Sequence, residues 1–339
     1  MIFSVFAYSR QGCKTARRVE ALLSGEAVTK YTMEKFQQPD FLPLGKPSGE
    51  FYGQRFKSCD SLIFIGSCGI AVRQIAPHVR DKKTDPAVIC IDELGKFVIP
   101  LLSGHIGGAN ELALRLAEGL SAVPVVTTAT DINGKFSVDA WAARNGFAIS
   151  SMKTAKAISA AILERTVPLC SDFPIKGSLP AGTAESREGD LGISLTFKTE
   201  EPFEETLRLI PRVLHLGIGC RRGTSEEAIS RAVEQVLEDH KIDRGAICCA
   251  ASIDLKANEQ GLLDYCGHRQ IPITFYTAEQ LNAVPGSFTP SQFVNSVTGV
   301  DNVCERSSMV GAEKIIVRKT ACNGVTVAVA EEYREVYFG

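Results

Sequence analysis

The sequence predicts a multi-domain α/β protein. Three observations carry the prediction. The 339 residues exceed what one ordinary core organises. Short apolar runs alternate with segments of helical period, the signature of a mainly parallel sheet. No apolar run reaches the ~18 residues of a membrane span.

Taken in order, "IFSVFAYS" reads as a buried first strand, and the chain start lacks the basic region of a signal peptide. "CKTARRVEALLSG" reads as a helix ending at Gly25. "SLIFIG" is a second buried strand, followed by a helix in "CGIAVRQIAPHV". "AVICID" and "KFVIPL" form a strand pair around Leu94 and Gly95. Residues 101–118 open as a glycine-rich loop and become helical from Ala109, and "VPVVTT" is a further buried strand. This alternation makes residues 1–133 a Rossmann-like, mainly parallel domain. Residues 134–210 read as a small middle α/β unit, with "KTEEPFEETLRLIP" as a linker ending at Pro211. Residues 211–339 read as a C-terminal α/β domain with a mixed sheet, closed by "KIIVRK" and "GVTVAVAEE" as antiparallel partners across "TACNG".

Hydrophobic residues at 45% and charged residues at 22% fit an ordinary globular chain. The net charge of −2 and the lack of aromatic–basic interleaving argue against a nucleic-acid binder. The eleven cysteines are scattered, odd in number and without a CxxC pair. That pattern predicts reduced, cytoplasmic thiols and neither a disulfide framework nor a metal site. His78, His215, His240 and His268 show no metal-ligand spacing.

Four segments invite a functional reading. In "LSGHIGGANELA", His105 sits among Gly104, Gly107 and Gly108 just before a helix, with Asn110 in its first turn. Helix-start amides attract anions, and the positive helix end should lower the His105 pKa, leaving a neutral imidazole that can act as a base. The bland alternative is a tight helix contact that needs glycine, with His105 a polar lid. In "GSCGIAVRQIAP", Gly66 and Gly69 form a strand-to-helix turn ahead of Arg73, with Lys82 and Lys83 in a basic run beyond. In "GIGCRRGTSEEAI", Gly217 and Gly219 lead to Arg221 and Arg222, and Thr224 with Glu227 fits a capping box. The spacing is not the dinucleotide fingerprint, which needs G-x-G-x-x-G. In "TTATDINGKFSVDAW", Asp131 follows a strand, where α/β sheets place ligand groups, and Asp139 falls on the next helix. Near the end, Lys319 and Asn323 add polar groups, although Asn323 and Gly324 also suit a hairpin turn.

These motifs together resemble the cobalt-precorrin-5A hydrolase family of oxygen-independent vitamin B12 synthesis. "GIAVRQIAP", "DKKTDPAV", "LSGHIGGANELA", "VTTATDINGKFSVD", "GIGCRRGTS", "ASIDLKANEQGL", "TGVDNVCE" and "KTACNGVTVA" carry the resemblance in order from about Ser61 to Glu332. The chain departs from the family pattern slightly, at Arg80 and at Cys322. The resemblance implies opening of the δ-lactone of a cobalt corrinoid with release of acetaldehyde. It implies no organic cofactor, because cobalt arrives within the substrate. Such a macrocycle is fringed by carboxylates, so separate anion sites in the N-terminal and C-terminal domains are expected to grip it jointly. The expected roles are His105 as base and Asp131 as its orienter or second proton acceptor. The expected oxyanion donors are the Gly107 and Gly108 amides. Gly66, Gly69, Arg73, Lys82, Lys83, Gly104, Asn110, Gly217, Gly219, Arg221, Arg222, Lys319 and Asn323 are expected to bind substrate. Expected partners are the corrinoid substrate, and a second copy or neighbouring pathway enzymes, with no membrane and no nucleic acid. A non-catalytic corrinoid carrier is the competing reading.

Overall fold

A computed structural model describes residues 1–81, 84–105 and 107–338, with the backbone alone at Phe293. Lys82 and Lys83 therefore lie outside the described residues. The chain forms two compact units, Met1–Trp141 and Ala142–Gly339.

The first unit runs β1 (Ile2–Ala7), α1 (Arg10–Leu22), β2 (Ala27–Thr32), β3 (Leu42–Pro43), α2 (Ser48–Ser58), β4 (Ser61–Ile65), α3 (Cys68–Ile75), β5 (Ala87–Ile91), β6 (Phe97–Leu102), α4 (Ala109–Leu120), β7 (Val123–Pro124) and α5 (Ala129–Ile132). It ends inside α6 (Val138–Arg144). The seven strands lie in the order β3-β2-β1-β4-β5-β6-β7. Every neighbouring pair is parallel except β5 with β6. β1, β4 and β5 are near-continuous apolar runs because helices cover both faces of the sheet. Successive residues alternate between two cores. Phe3, Val5, Ile63, Ile65, Ile89 and Ile91 pack with Cys13, Ala16, Ala113 and Leu116 from α1 and α4. Phe6, Leu62, Phe64 and Val88 pack with Tyr52, Phe56, Ala71 and Ile75 from α2 and α3. Each large side chain so buried stabilises the fold by roughly 1.5–3 kcal/mol.

β2 escapes hydrophobic patterning because "AVTKYT" carries a buried lysine. Lys30 is 7% exposed. Its ammonium donates to Glu20 and, at 2.8 Å, to Asp40. Paired on two sides, a buried charge is tolerated.

The second unit continues with β8 (Phe147–Ile149), α7 (Met152–Glu164), β9 (Val167–Ser171), β10 (Ile175–Lys176), β11 (Thr183–Glu185), β12 (Leu191–Leu195), β13 (Glu205–Pro211) and β14 (Leu214–Cys220). Then follow α8 (Glu226–Asp239), β15 (Ile247–Ile253), α9 (Gln260–His268), β16 (Ile273–Tyr276), α10 (Ala278–Asn282), α11 (Gln292–Thr298), α12 (Val303–Met309), β17 (Lys314–Cys322), β18 (Val325–Glu331) and β19 (Val336–Tyr337). One five-stranded sheet has the order β11-β9-β12-β13-β8 and another β16-β15-β14-β18-β17, beside a two-stranded β10-β19. The later sheet is mixed, with β14, β15 and β16 parallel and β18 antiparallel to both β14 and β17.

Three local expectations are corrected. The segment read as a linker before Pro211 contains β13, which pairs with β12 and β8. Its acidic start is exposed, but Leu207 and Leu209 are fully buried between those strands. The cap of α8 is Ser225, whose hydroxyl accepts from the Ala228 amide, while the Thr224 hydroxyl donates to the Arg221 carbonyl. β7 is a two-residue exposed edge strand and not a buried one. The hairpin at "TACNG" is present, with Asn323 at φ 47° and Gly324 at φ 87° joining β17 to β18. All eleven cysteines are free thiols.

Candidate active site

Because β6 and β7 run parallel and α4 connects them, the residues following both strands emerge at one sheet edge. His105 follows β6 and Asp131 follows β7. The loop between β6 and α4 is folded back on itself. Ser103 adopts φ 58° and its hydroxyl donates to the Asp85 carbonyl at 2.9 Å. The amides of Gly108, Ala109 and Asn110 donate to the carbonyls of His105, Ser103 and Gly104 at 3.0, 3.1 and 3.0 Å. These helix-start donors are thus committed to the loop's own acceptors, and Gly108 is not available as an oxyanion donor.

The glycines have steric reasons. A Cβ on Gly104 would lie 2.7 Å from Asn110 Oδ1, and one on Gly107 would lie 2.4 Å from Ser103 Cβ. Gly108 has φ 77°. The tight contact weighed as the bland alternative accounts for Gly104 and Gly107, whereas Gly108 has open space around it and answers to its positive φ alone.

His105 is more than a lid. Its Nε2 lies 2.9 Å from Asp131 Oδ2 and 3.2 Å from Thr130 Oγ1. On the other side of the ring, Nδ1 faces Asp139 Oδ1 at 3.5 Å. Asn110 Nδ2 donates to Asp131 Oδ2 at 2.9 Å and to Thr128 Oγ1 at 2.8 Å, which fixes the Asp131 carboxylate. Asp139 is held in the first turn of α6, where Ala140 N donates to its Oδ1 at 3.0 Å. The side chains of His105, Asp131 and Asp139 are 21, 35 and 10% exposed, so Asp139 is the inner carboxylate and Asp131 the outer.

The expected lowering of the His105 pKa is overturned. Asp139 raises it most, Asp131 raises it further, and partial burial opposes them. Two carboxylates outweigh a helix end whose amides are already engaged. The arrangement can accept a proton on Nε2 and stabilise the imidazolium that results. Asp139 is the residue that the sequence left without a role, since nothing in chain spacing brings it to His105.

The remaining expected residues do not all gather here. Gly66 follows β4, and its amide donates to the Ile91 carbonyl at the far end of β5. His105 lies beyond Leu102, which pairs with Val88 at the near end of β5. At ~3.3 Å per residue, the paired ends are about 10 Å apart before either loop begins. Gly66, Gly69 and the exposed Arg73 therefore stand at the opposite sheet edge from His105.

In the second unit, Gly217 and Gly219 are packing glycines. A Cβ on Gly217 would sit 1.8 Å from the Cys304 carbonyl oxygen, and one on Gly219 2.5 Å from Thr326 Oγ1. Arg221 lies at the end of β14 against the Asn323–Gly324 hairpin, its amide donating to the Gly324 carbonyl at 3.2 Å. Arg221, Arg222 and Asn323 are exposed, and Lys319 is half-buried with its amide bonded to Glu305 Oε1. Gly223 N and Lys256 Nζ both donate to Glu259, at 2.9 and 3.1 Å, steadying the turn that carries the arginines.

Comparison with known proteins agrees with these motifs. Residues 50–131 match the family model "Cobalamin synthesis G N-terminal" and residues 214–330 match "Cobalamin synthesis G C-terminus". The chain is 35% identical over 314 residues to the cobalt-precorrin-5A hydrolase of Salmonella typhimurium, covering 88% of this chain and 89% of that one. It is 31% identical over 355 residues to the cobalt-precorrin-5A hydrolase of Priestia megaterium, covering 97 and 94%. A 121-residue stretch is 34% identical to Protein CobE of a Sinorhizobium species, covering 34% of this chain and 79% of that protein. With His105, Asp131 and the glycine-rich loop–helix motifs inside the matched segments, and identity sustained along nearly the whole chain, this protein belongs to the cobalt-precorrin-5A hydrolase family.

Proposed function

We propose that this chain is a hydrolase of cobalamin biosynthesis that opens the δ-lactone of cobalt-precorrin-5A and releases acetaldehyde, giving cobalt-precorrin-5B. The observation that carries the mechanism is His105 held between Asp131 and Asp139. Asp139 accepts from Nδ1–H of neutral His105, and Nε2, once Asp131 Oδ2 turns aside from it, takes a proton from the attacking water. The water oxygen bonds to the lactone carbonyl carbon. The acyl C–O bond then breaks, and the imidazolium returns its proton to the departing alkoxide. A carboxylic acid and a secondary alcohol result. When that alcohol loses its proton, to His105 or Asp131, its C–O becomes the carbonyl of acetaldehyde. The C–C bond to the macrocycle breaks, and its electron pair enters the conjugated ring.

The Gly107 amide takes the oxyanion role, since Gly108's is engaged. Arg221 and Arg222 bind peripheral carboxylates as charged forks. The cobalt is part of the substrate, and no organic cofactor enters the reaction. No helix among the described residues is long and apolar enough to cross a membrane.

The test is acetaldehyde release from purified chain and cobalt-precorrin-5A. Catalytic release that collapses in His105→Ala supports the proposal. Stoichiometric substrate binding without acetaldehyde would leave a carrier, and wild-type release by His105→Ala would remove His105 from the mechanism.

A further inference from the structure

A second set of reactive side chains lies in the later mixed sheet, at the opposite end of β14 from Arg221. β14 and β15 pair as Leu214 with Ile247 and His215 with Cys249, so Cys248 is one residue too many on β15. Adjacent strand residues ordinarily point to opposite faces, and a bulge re-aims them. Here the neighbouring thiols of Cys248 and Cys249 converge, with Sγ atoms 3.8 Å apart. One ligand atom from each of His215, Cys248 and Cys249 falls within 4.8 Å of the others. Glu332, directly after β18, brings Oε1 to 2.6 Å from His215 Nε2 and 3.6 Å from Cys248 Sγ. His215 is buried, whereas the Glu332 side chain is 42% exposed and leaves a route for an ion.

Two thiols, an imidazole and a carboxylate suit a borderline-soft divalent metal, whereas Mg²⁺ and Ca²⁺ demand oxygen donors. Two thiolates held at ~2.3 Å by a tetrahedral ion lie about 3.8 Å apart. That is the Cys248–Cys249 sulfur spacing. We propose that Cys248, Cys249 and His215 bind one zinc-type divalent cation, with Glu332 as the fourth ligand, tying β14, β15 and the end of β18 together. Chain spacing hid the set, because its members come from two strands and the residue just after a third, and the cysteines are contiguous. The site shares no residue with the His105 constellation, and no step of the proposed lactone chemistry uses it.

The test uses the full chain, reduced, stripped with chelator and kept anaerobic, titrated with free Co²⁺ as an optical probe. The expected result is thiolate-to-cobalt charge-transfer absorption in the near ultraviolet together with the strong visible bands of a tetrahedral centre. Both should saturate at a single equivalent and be displaced by Zn²⁺. Cys249→Ser and His215→Gln should each lose the tetrahedral spectrum, and Glu332→Gln should keep the thiolate band while altering the visible bands. In the unsubstituted chain, Zn²⁺ should protect Cys248 and Cys249 from alkylation, as mapped by mass spectrometry, so the outcome does not depend on a variant folding. A weak octahedral spectrum, protection of other cysteines instead, or a Cys248–Cys249 disulfide whose reduction leaves no Co²⁺ binding would each overturn the proposal.

Discussion

Asp139 Oδ1 stands 3.5 Å from His105 Nδ1, across the ring from the Asp131 oxygen that lies 2.9 Å from Nε2. The imidazole is thus gripped through both nitrogens, and the protonated ring is the favoured form over a wider pH range than for a free histidine.

This relationship has a pH signature. A base must be unprotonated to work, so kcat/KM should fall as pH drops through the raised His105 pKa, above the ordinary 6.5. Asp139→Asn removes the largest stabiliser of the imidazolium. It should move that acid limb to lower pH and lower the plateau, measured as acetaldehyde release across pH. Stability runs the other way. The paired imidazolium stabilises the fold below 6.5, and this contribution is lost as pH rises through the raised value. Thermal melts should therefore separate Asp139→Asn from the parent at acid pH and converge at alkaline pH.

His105→Ala should lower kcat by roughly 10²–10⁴ without loss of fold, the usual span for general acid–base removal. Asn110→Ala should give a smaller loss with His105 intact, because it frees the Asp131 carboxylate from its donor. Circular dichroism and steady-state kinetics on the two variants test the ordering, and an equal or larger loss in Asn110→Ala would contradict it.

Arg221 and Arg222 are exposed. If they bind substrate carboxylates, replacing both with alanine should raise KM about tenfold, the equivalent of one charged hydrogen bond at ~1.5 kcal/mol, with kcat little changed. The parent's KM should also climb with ionic strength more steeply than the variant's.

Two glycines from different motifs should behave oppositely. Gly217→Ala forces a Cβ to within 1.8 Å of the Cys304 carbonyl oxygen and should cost about 3 kcal/mol or more. Gly69→Ala, on α3 with the tip of Arg73 at 3.6 Å and Ser67 Oγ at 4.0 Å, both ordinary contacts, should be neutral or stabilising by ~0.5–1 kcal/mol. Denaturant midpoints measure both. A wild-type kcat in Gly69→Ala would also show that substrate does not approach that backbone.

The start of α8 offers a local check. Ser225→Ala removes the cap to Ala228 N and should cost ~1 kcal/mol, whereas Thr224→Ala should cost less, since its hydroxyl donates to the Arg221 carbonyl and caps no helix amide. Chemical denaturation of the pair measures the difference.

What the amino-acid sequence determined by itself is what repeats locally. Apolar runs such as "SLIFIG" and "AVICID" became central strands because burial on both faces demands unbroken hydrophobicity, and the helical period from Ala109 to Leu120 became α4. Its motifs also singled out His105 and Asp131. Where polar residues are buried through distant partners, as Lys30 is in β2, or where an acidic lead-in masks a strand, as in β13, the pattern was silent or misleading. Only the tertiary structure decided that Asp139 completes the histidine site, that Gly217 answers to Cys304, that Gly66 stands at the other sheet edge, and that His215 meets Cys248 and Cys249. Each of these depends on strand direction, register or a bulge. Those are set by packing among distant segments, so they leave no periodic trace along the chain.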